Sequence, residues 1–209
     1  MKLKLLAVSI GMPRPIGVTA EGETVLSGIA KHAAEGDSIF VARENIEGDG
    51  QADLRVHGGR DKAVYAYPAD NWPWWEREHG FACGPNSFGE NLTTEGADED
   101  HVSIGDRFRW GDALLEIAQP RAPCFKLAIH AREDIPARLT VAARCGWYLR
   151  VVETGFAPLT GEMVRERASG HPSVRETFIA ALHPRAPEDL RARVRELPEL
   201  AAAWRRMLR

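Results

Sequence analysis

The stretch Ile104-Gly105-Asp106-Arg107-Phe108-Arg109-Trp110-Gly111-Asp112-Ala113-Leu114-Leu115-Glu116-Ile117-Ala118 reads as a β-hairpin. Gly111-Asp112 supplies the turn, and the flanking residues alternate as strands do. The second strand runs straight into Gln119-Pro120-Arg121-Ala122-Pro123-Cys124-Phe125-Lys126. Each proline holds φ near about −65° and lacks an N–H, so this segment is neither helix interior nor the middle of a paired central strand. Cys124 is therefore presented on a stiff segment just past a strand end, where β-scaffolds commonly place chemistry. Arg121 and Lys126 flank it and can favour a thiolate, the form that attacks electrophiles or binds metal. The bland alternative is a small buried hydrophobe, the usual fate of a free cysteine.

Other β signals lie upstream and downstream. Lys2 to Ile10 reads as a strand apolar on both faces, with Lys4, Leu6, Val8 and Ile10 on one side and Leu3, Leu5 and Ala7 on the other. Ser38–Ala42, Ala63–Tyr67 and Trp147–Val152 have strand character, and Phe88–Thr93 reads as a bend entering another. Asp70 is placed to cap a helix with Pro73 in its first turn and Gly80 at its C-terminus. The tryptophans of that helix are expected to pack in the core. Asp134–Arg144 reads as a helix capped by Gly146. The pattern changes near residues 164–170. Ser173-Val174-Arg175-Glu176 forms a capping box, and three short helices punctuated by prolines follow. The fold class is mainly β (α+β), divided at residues 1–166 and 167–209. The span from Ser173 to Arg209 holds eight arginines against four glutamates and one aspartate, which reads as a solvated face or as a docking surface for an acidic partner.

The 209 residues are 44% hydrophobic and 27% charged, with a net charge of −3. That balance suits a globular protein and provides no global attraction to nucleic acid or anionic membrane. Three widely spaced cysteines, Cys83, Cys124 and Cys145, argue against a disulfide framework and for a reducing, cytoplasmic compartment. No stretch approaches a membrane span, and the N-terminal apolar run is too short for a secretory leader. Walker A, GxGxxG, HExxH and CxxC patterns are absent. His79 and Cys83 have a loose metal-like spacing, but two ligands do not make a zinc site. His57-Gly58-Gly59, with Arg55 and Arg60 close by, is either a turn or a backbone anion cradle. With Arg121 and Lys126, those arginines would suit a phosphate-bearing ligand.

Taken together, Gly48–Asp53, His57–Val64, Phe88–Thr93, Gly105–Phe108 and Gln119–Leu127 resemble, in order, the motifs of the MOSC domain family, related to the C-terminal part of molybdenum cofactor sulfurase. The pattern is similar to that of the YiiM-like members, which carry a small three-helix domain after the MOSC domain. The chain departs at Arg60, where relatives often carry proline. The resemblance implies a barrel-like β-domain and a molybdopterin-type molybdenum cofactor. Cys124 would be the catalytic residue and molybdenum ligand, and Arg55, His57, Gly58, Gly59, Asn91, Arg121 and Lys126 would form the cofactor pocket. It also implies oxygen removal from N-hydroxylated compounds such as hydroxylaminopurine-type bases. No flavin or nicotinamide motif is present, so electrons would come from a separate reductase. Pyridoxal phosphate binding, a family-level association, has no motif here. Two other roles stay open: a sulfur carrier with a Cys124 persulfide, and a non-catalytic module that holds or delivers the cofactor.

Overall fold

The hairpin predicted around Gly111-Asp112 is present in the computed structural model, which describes residues 1–53 and 58–208. In chain order the strands before it are β1 (Lys2–Ile10), β2 (Arg14–Val18), β3 (Thr24–Ser27), β4 (His32–Ala33), β5 (Ser38–Val41), β6 (Val64–Pro68) and β7 (Leu92–Glu95). Helix α1 (Trp72–His79) joins β6 to β7. The hairpin itself is β8 (Arg107–Trp110) and β9 (Ala113–Pro120). Helices α2 (Phe125–His130) and α3 (Ile135–Ala142) lead to β10 (Trp147–Glu153), β11 (Gly155–Pro158) and β12 (Gly161–Arg167). The tail is α4 (Val174–Leu182), α5 (Glu188–Arg195) and α6 (Ala202–Met207).

Seven strands close into a barrel in the order β12-β8-β9-β10-β6-β7-β1, with β1 returning to β12. The closing pair is antiparallel, Lys2 opposite Val164 and Leu5 opposite Gly161. All barrel pairs are antiparallel except β6 and β7, the crossover pair joined through α1. Closure removes the free edges that would otherwise offer unpaired backbone groups. Strand β1 carries a bulge between Leu5 and Ala7. The extra residue shifts the side-chain phase, so the buried apolar residues are Leu3 and Leu5 before the bulge and Val8 after it. The strict two-face alternation expected for this strand is therefore broken.

Strand β9 is buried along its whole length. One face fills the barrel and the other is covered by the tail. The Ala201 N–H donates to the Ala118 carbonyl at 2.9 Å. This explains why apolar residues occupy both faces of that strand; the buried Glu116 among them is paired with Arg107 and Arg150. Trp75, Trp110, Trp147 and Phe108 fill the core. The Trp75 Nε1–H donates to the Tyr67 hydroxyl at 2.5 Å. Trp72 and Trp74 are only partly buried, packing at its margin.

The capping box forms: the Glu176 N–H donates to Ser173 Oγ at 3.1 Å, and Ser173 N–H to the Glu176 carboxylate at 2.8 Å. Two other predicted caps do not. Asn71, not Asp70, precedes α1, while the Asp70 carboxylate accepts the Gly96 N–H at 3.0 Å. Helix α3 ends on Ala143 at φ 50° rather than on Gly146. Gly146 serves the next turn at φ 64°, where a Cβ would lie 2.4 Å from the Ala66 carbonyl oxygen. The β2–β3 ribbon, β11, β12 and α2 were not anticipated. Among the described residues, no helix is long and apolar enough to cross a membrane.

Candidate functional site

At one end of the barrel, strand β9 runs out through Gln119 and Pro120, and the chain crosses to α2. There the structure holds a cavity of about 440 Å³, within the range of small-molecule sites. Pro123 leads into Cys124, which sits at the N-cap of α2 with extended backbone, φ −140° and ψ 160°. Its side chain makes no cap hydrogen bond, and Cys124 lines the cavity as a free, partly exposed thiol. The proline-fixed segment thus does what its sequence suggested: it presents one sulfur at a strand end.

Arg121 is the cation beside that sulfur. Its side chain is buried, at 4% exposure. Nη2 lies 3.9 Å from Cys124 Sγ, and the guanidinium stands over the Tyr65 ring at 5.3 Å. Among the described residues Nη1 has no hydrogen-bond partner, and neither does Gln119 Oε1. Both residues line the cavity. A buried donor and a buried acceptor left unpaired are costly unless a ligand satisfies them. Burial drives the Tyr65 and Tyr148 phenols up from their ordinary pKa, with the Arg121 charge acting the other way. Both rings remain neutral walls at physiological pH. Lys62, from the 3-10 turn Arg60–Lys62, also lines the cavity. Burial pulls its ammonium below its ordinary pKa, while Asp61 and Cys124 push it back up.

The other predicted residues divide. Gly58 lines the cavity at φ 81°, whereas Gly59, at φ 80°, turns the chain into Arg60 and does not. Lys126 lines the rim, but its ammonium donates to the Leu26 carbonyl at 3.0 Å. Of the two flanking cations, Arg121 is the one that reaches the sulfur. Asn91 is at the wall, but its amide is engaged by protein. It accepts from the Tyr65 N–H at 3.1 Å and donates to Asp49 at 3.0 Å and to the Ser9 carbonyl at 3.1 Å. These bonds hold its side chain in the wall. Arg55 and His57 lie outside the described residues.

Sequence reading missed a buried ion pair in this wall. Lys31 and Asp49 are 6% and 1% exposed at their side chains and directly bonded. Asp49 also accepts the Gly11 N–H at 2.8 Å and the Gln51 amide at 3.5 Å. Asp49 lies in the Gly48–Asp53 motif, where the resemblance gave its carboxylate no role. Lys31 had no local signal, because its partner lies on another loop. The loose His79–Cys83 pair remains unremarkable: among the described residues no group of three or more metal-ligating side chains converges.

The three thiols differ in environment. Burial, with Glu90 and Glu76 nearby, pushes Cys83 up to about 12, and burial raises Cys145 well above its ordinary value. Both are protonated and poorly nucleophilic near neutrality. Iodoacetamide at pH 8 is therefore expected to modify Cys124 first, read by peptide mass spectrometry. Equal or faster labelling of Cys83 would contradict this ranking.

Residues 53–165 match the MOSC domain. The protein YflK of Bacillus subtilis is 35% identical over 207 residues, covering 98% of this chain and 92% of that protein. A crystal structure of YiiM from Geobacillus stearothermophilus superposes with a TM-score of 0.79 at 29% identity, covering 99% of this chain and 97% of the other. A protein of Gibberella moniliformis named a reductase is 35% identical over 143 residues, which cover 65% of this chain and 25% of that protein.

Proposed function

This chain belongs to the MOSC domain family, a family associated with molybdenum cofactor binding, and from that premise we propose that it is a molybdenum-dependent reductase of N-hydroxylated compounds. The observation that carries the reading is Cys124 Sγ at a cavity whose buried Arg121 keeps an unpartnered Nη1. A soft thiolate suits molybdenum, and an unpaired buried guanidinium suits an anionic group. Gln119 Oε1 offers an acceptor to a ring N–H. The donor set therefore fits a cofactor that combines a metal, a planar heterocycle and a phosphate. The reductase name of the Gibberella moniliformis relative supports the redox assignment.

In this reading Cys124 ligates the metal, Arg121 and Lys62 neutralise anionic groups, and Gln119 orients the heterocycle. The bound cofactor supplies two-electron redox chemistry at the metal. The net reaction cleaves the N–O bond of an N-hydroxylated compound to give an amine and water, consuming two electrons and two protons. The electrons come from a separate reductase. Lys62 and Lys31 at the wall are ammonium groups that burial shifts toward releasing a proton. Lys62 can serve as a local acid, while Lys31 is committed to Asp49.

The test is protein made in a cofactor-competent host. The expected result is about one molybdenum and one pterin per chain, with reduction of hydroxylaminopurine by a reduced viologen donor. Metal and pterin without turnover would favour a delivery module. An added sulfur on Cys124 without metal, seen by intact mass, would favour a sulfur carrier.

A further inference from the structure

The cavity is not built by the barrel alone. Ala203, Trp204 and Met207 line it from α6, beyond the residues that match the MOSC domain. Ala203 and Met207 are one turn apart and so share a face of the helix. Trp204 between them is buried and packs on Phe178 at 6.0 Å between ring centroids. The helix is anchored where it enters. The Ala201 N–H bonds to Ala118, the residue before Gln119. Arg150 donates to the Glu199 carbonyl at 2.7 Å, and the Glu199 carboxylate meets Arg167 at 3.3 Å and His171 at 3.1 Å. This wall is held against both β9 and β10.

Two large apolar side chains in this lining remain open to solvent: Phe125 at 60% and Met207 at 43% exposure. A flexible thioether and a phenyl ring, together with the buried Tyr65 and the half-buried Tyr148, make a surface suited to a flat aromatic ring. We propose that α6 is the specificity wall of the site. Ala203 and Met207, with Phe125, hold the aromatic ring of the substrate, so the tail decides how large a ring is accepted. The inference rests on the reductase reading for the reaction, but not for the binding.

The test uses the cofactor-loaded full chain. Ala203→Phe fills the space on the α6 face, and Met207→Ala empties it. The KM for hydroxylaminopurine is compared with that for hydroxylamine, which has no ring, with reduced viologen as donor. Equilibrium dialysis of adenine on the same proteins supplies a readout free of turnover, and metal content reports folding. Ala203→Phe is expected to raise the ratio of the two KM values about tenfold, the scale of discrimination a filled apolar pocket provides. Adenine binding should weaken about as much. Met207→Ala should raise the ratio by less, in the same direction. An unchanged ratio, with adenine held equally by parent and variant, would reduce α6 to a cover and overturn the proposal. If the parent turns over neither substrate, the reductase reading fails and adenine decides alone. Binding by the parent that Ala203→Phe weakens upholds the wall; no binding, or equal binding, sinks it.

Discussion

Cys124→Ser, purified from a cofactor-competent host, is expected to lose reduction of hydroxylaminopurine by about a thousandfold and to hold less molybdenum than the parent. The magnitude follows from what is removed. Changing a partner of a metal ligand already costs about 10- to 100-fold, and here the ligand itself changes. A serine hydroxyl is a hard, neutral donor in place of a soft thiolate. The fold should be untouched, because Cys124 is partly exposed and its side chain makes no cap hydrogen bond. Near-parental melting with lost activity would separate chemistry from stability. A variant with as much metal and activity as the parent would remove Cys124 from the ligand set.

Asp49→Ala should produce the largest loss of stability, about 3–5 kcal/mol, or about 10 °C in Tm for a chain of this size. Asp49 takes bonds from Lys31, the Gly11 N–H, Asn91 and Gln51. Truncation leaves the buried Lys31 ammonium unpaired and frees three other donors. Lys31→Met should cost less, because Asp49 keeps its remaining partners. Equal losses from both changes would mean that the ion pair, and not the carboxylate hub, carries the stability. The pair also has a pH signature. Burial lowers the Lys31 pKa in the folded protein, with Asp49 opposing the shift. Between that lowered value and the ordinary 10.5 of the unfolded chain, the unfolded state binds more protons. Lys31 therefore makes stability rise with pH across that window. Subtracting the Lys31→Met profile should remove the rise. Parallel profiles would place the titration elsewhere.

What the sequence disclosed follows from how local each feature is. The β8–β9 hairpin, the Ser173 capping box and the Cys124 segment are each specified by residues within a few positions of one another. Barrel closure is not, because Lys2 meets Val164 only in three dimensions. The β2–β3 ribbon was hidden by Pro15 and Gly17, which an isolated two-stranded ribbon tolerates and a central strand would not. Asp70 and Gly146 had the right chemistry for caps, but the Gly96 N–H and the tight approach to Ala66 claimed them. At the site, Cys124 and Arg121 lie three residues apart and could be read together. Lys31, Asp49 and α6 reach the cavity from distant segments. The MOSC resemblance supplied the family, while the division of labour in the wall depends on contacts between segments far apart in sequence.

The pairing of Lys2–Leu5 with Gly161–Val164 also constrains biosynthesis. On the ribosome the first strand must wait, unpaired on one side, until its closing partner emerges. The α6 wall is completed later still. A nascent chain therefore cannot offer a finished cavity while translation is under way. The complete lining exists only after residue 207 has been made. A ligand that needs the full lining, such as the aromatic ring assigned to Ala203 and Met207, therefore finds its site only once α6 has folded.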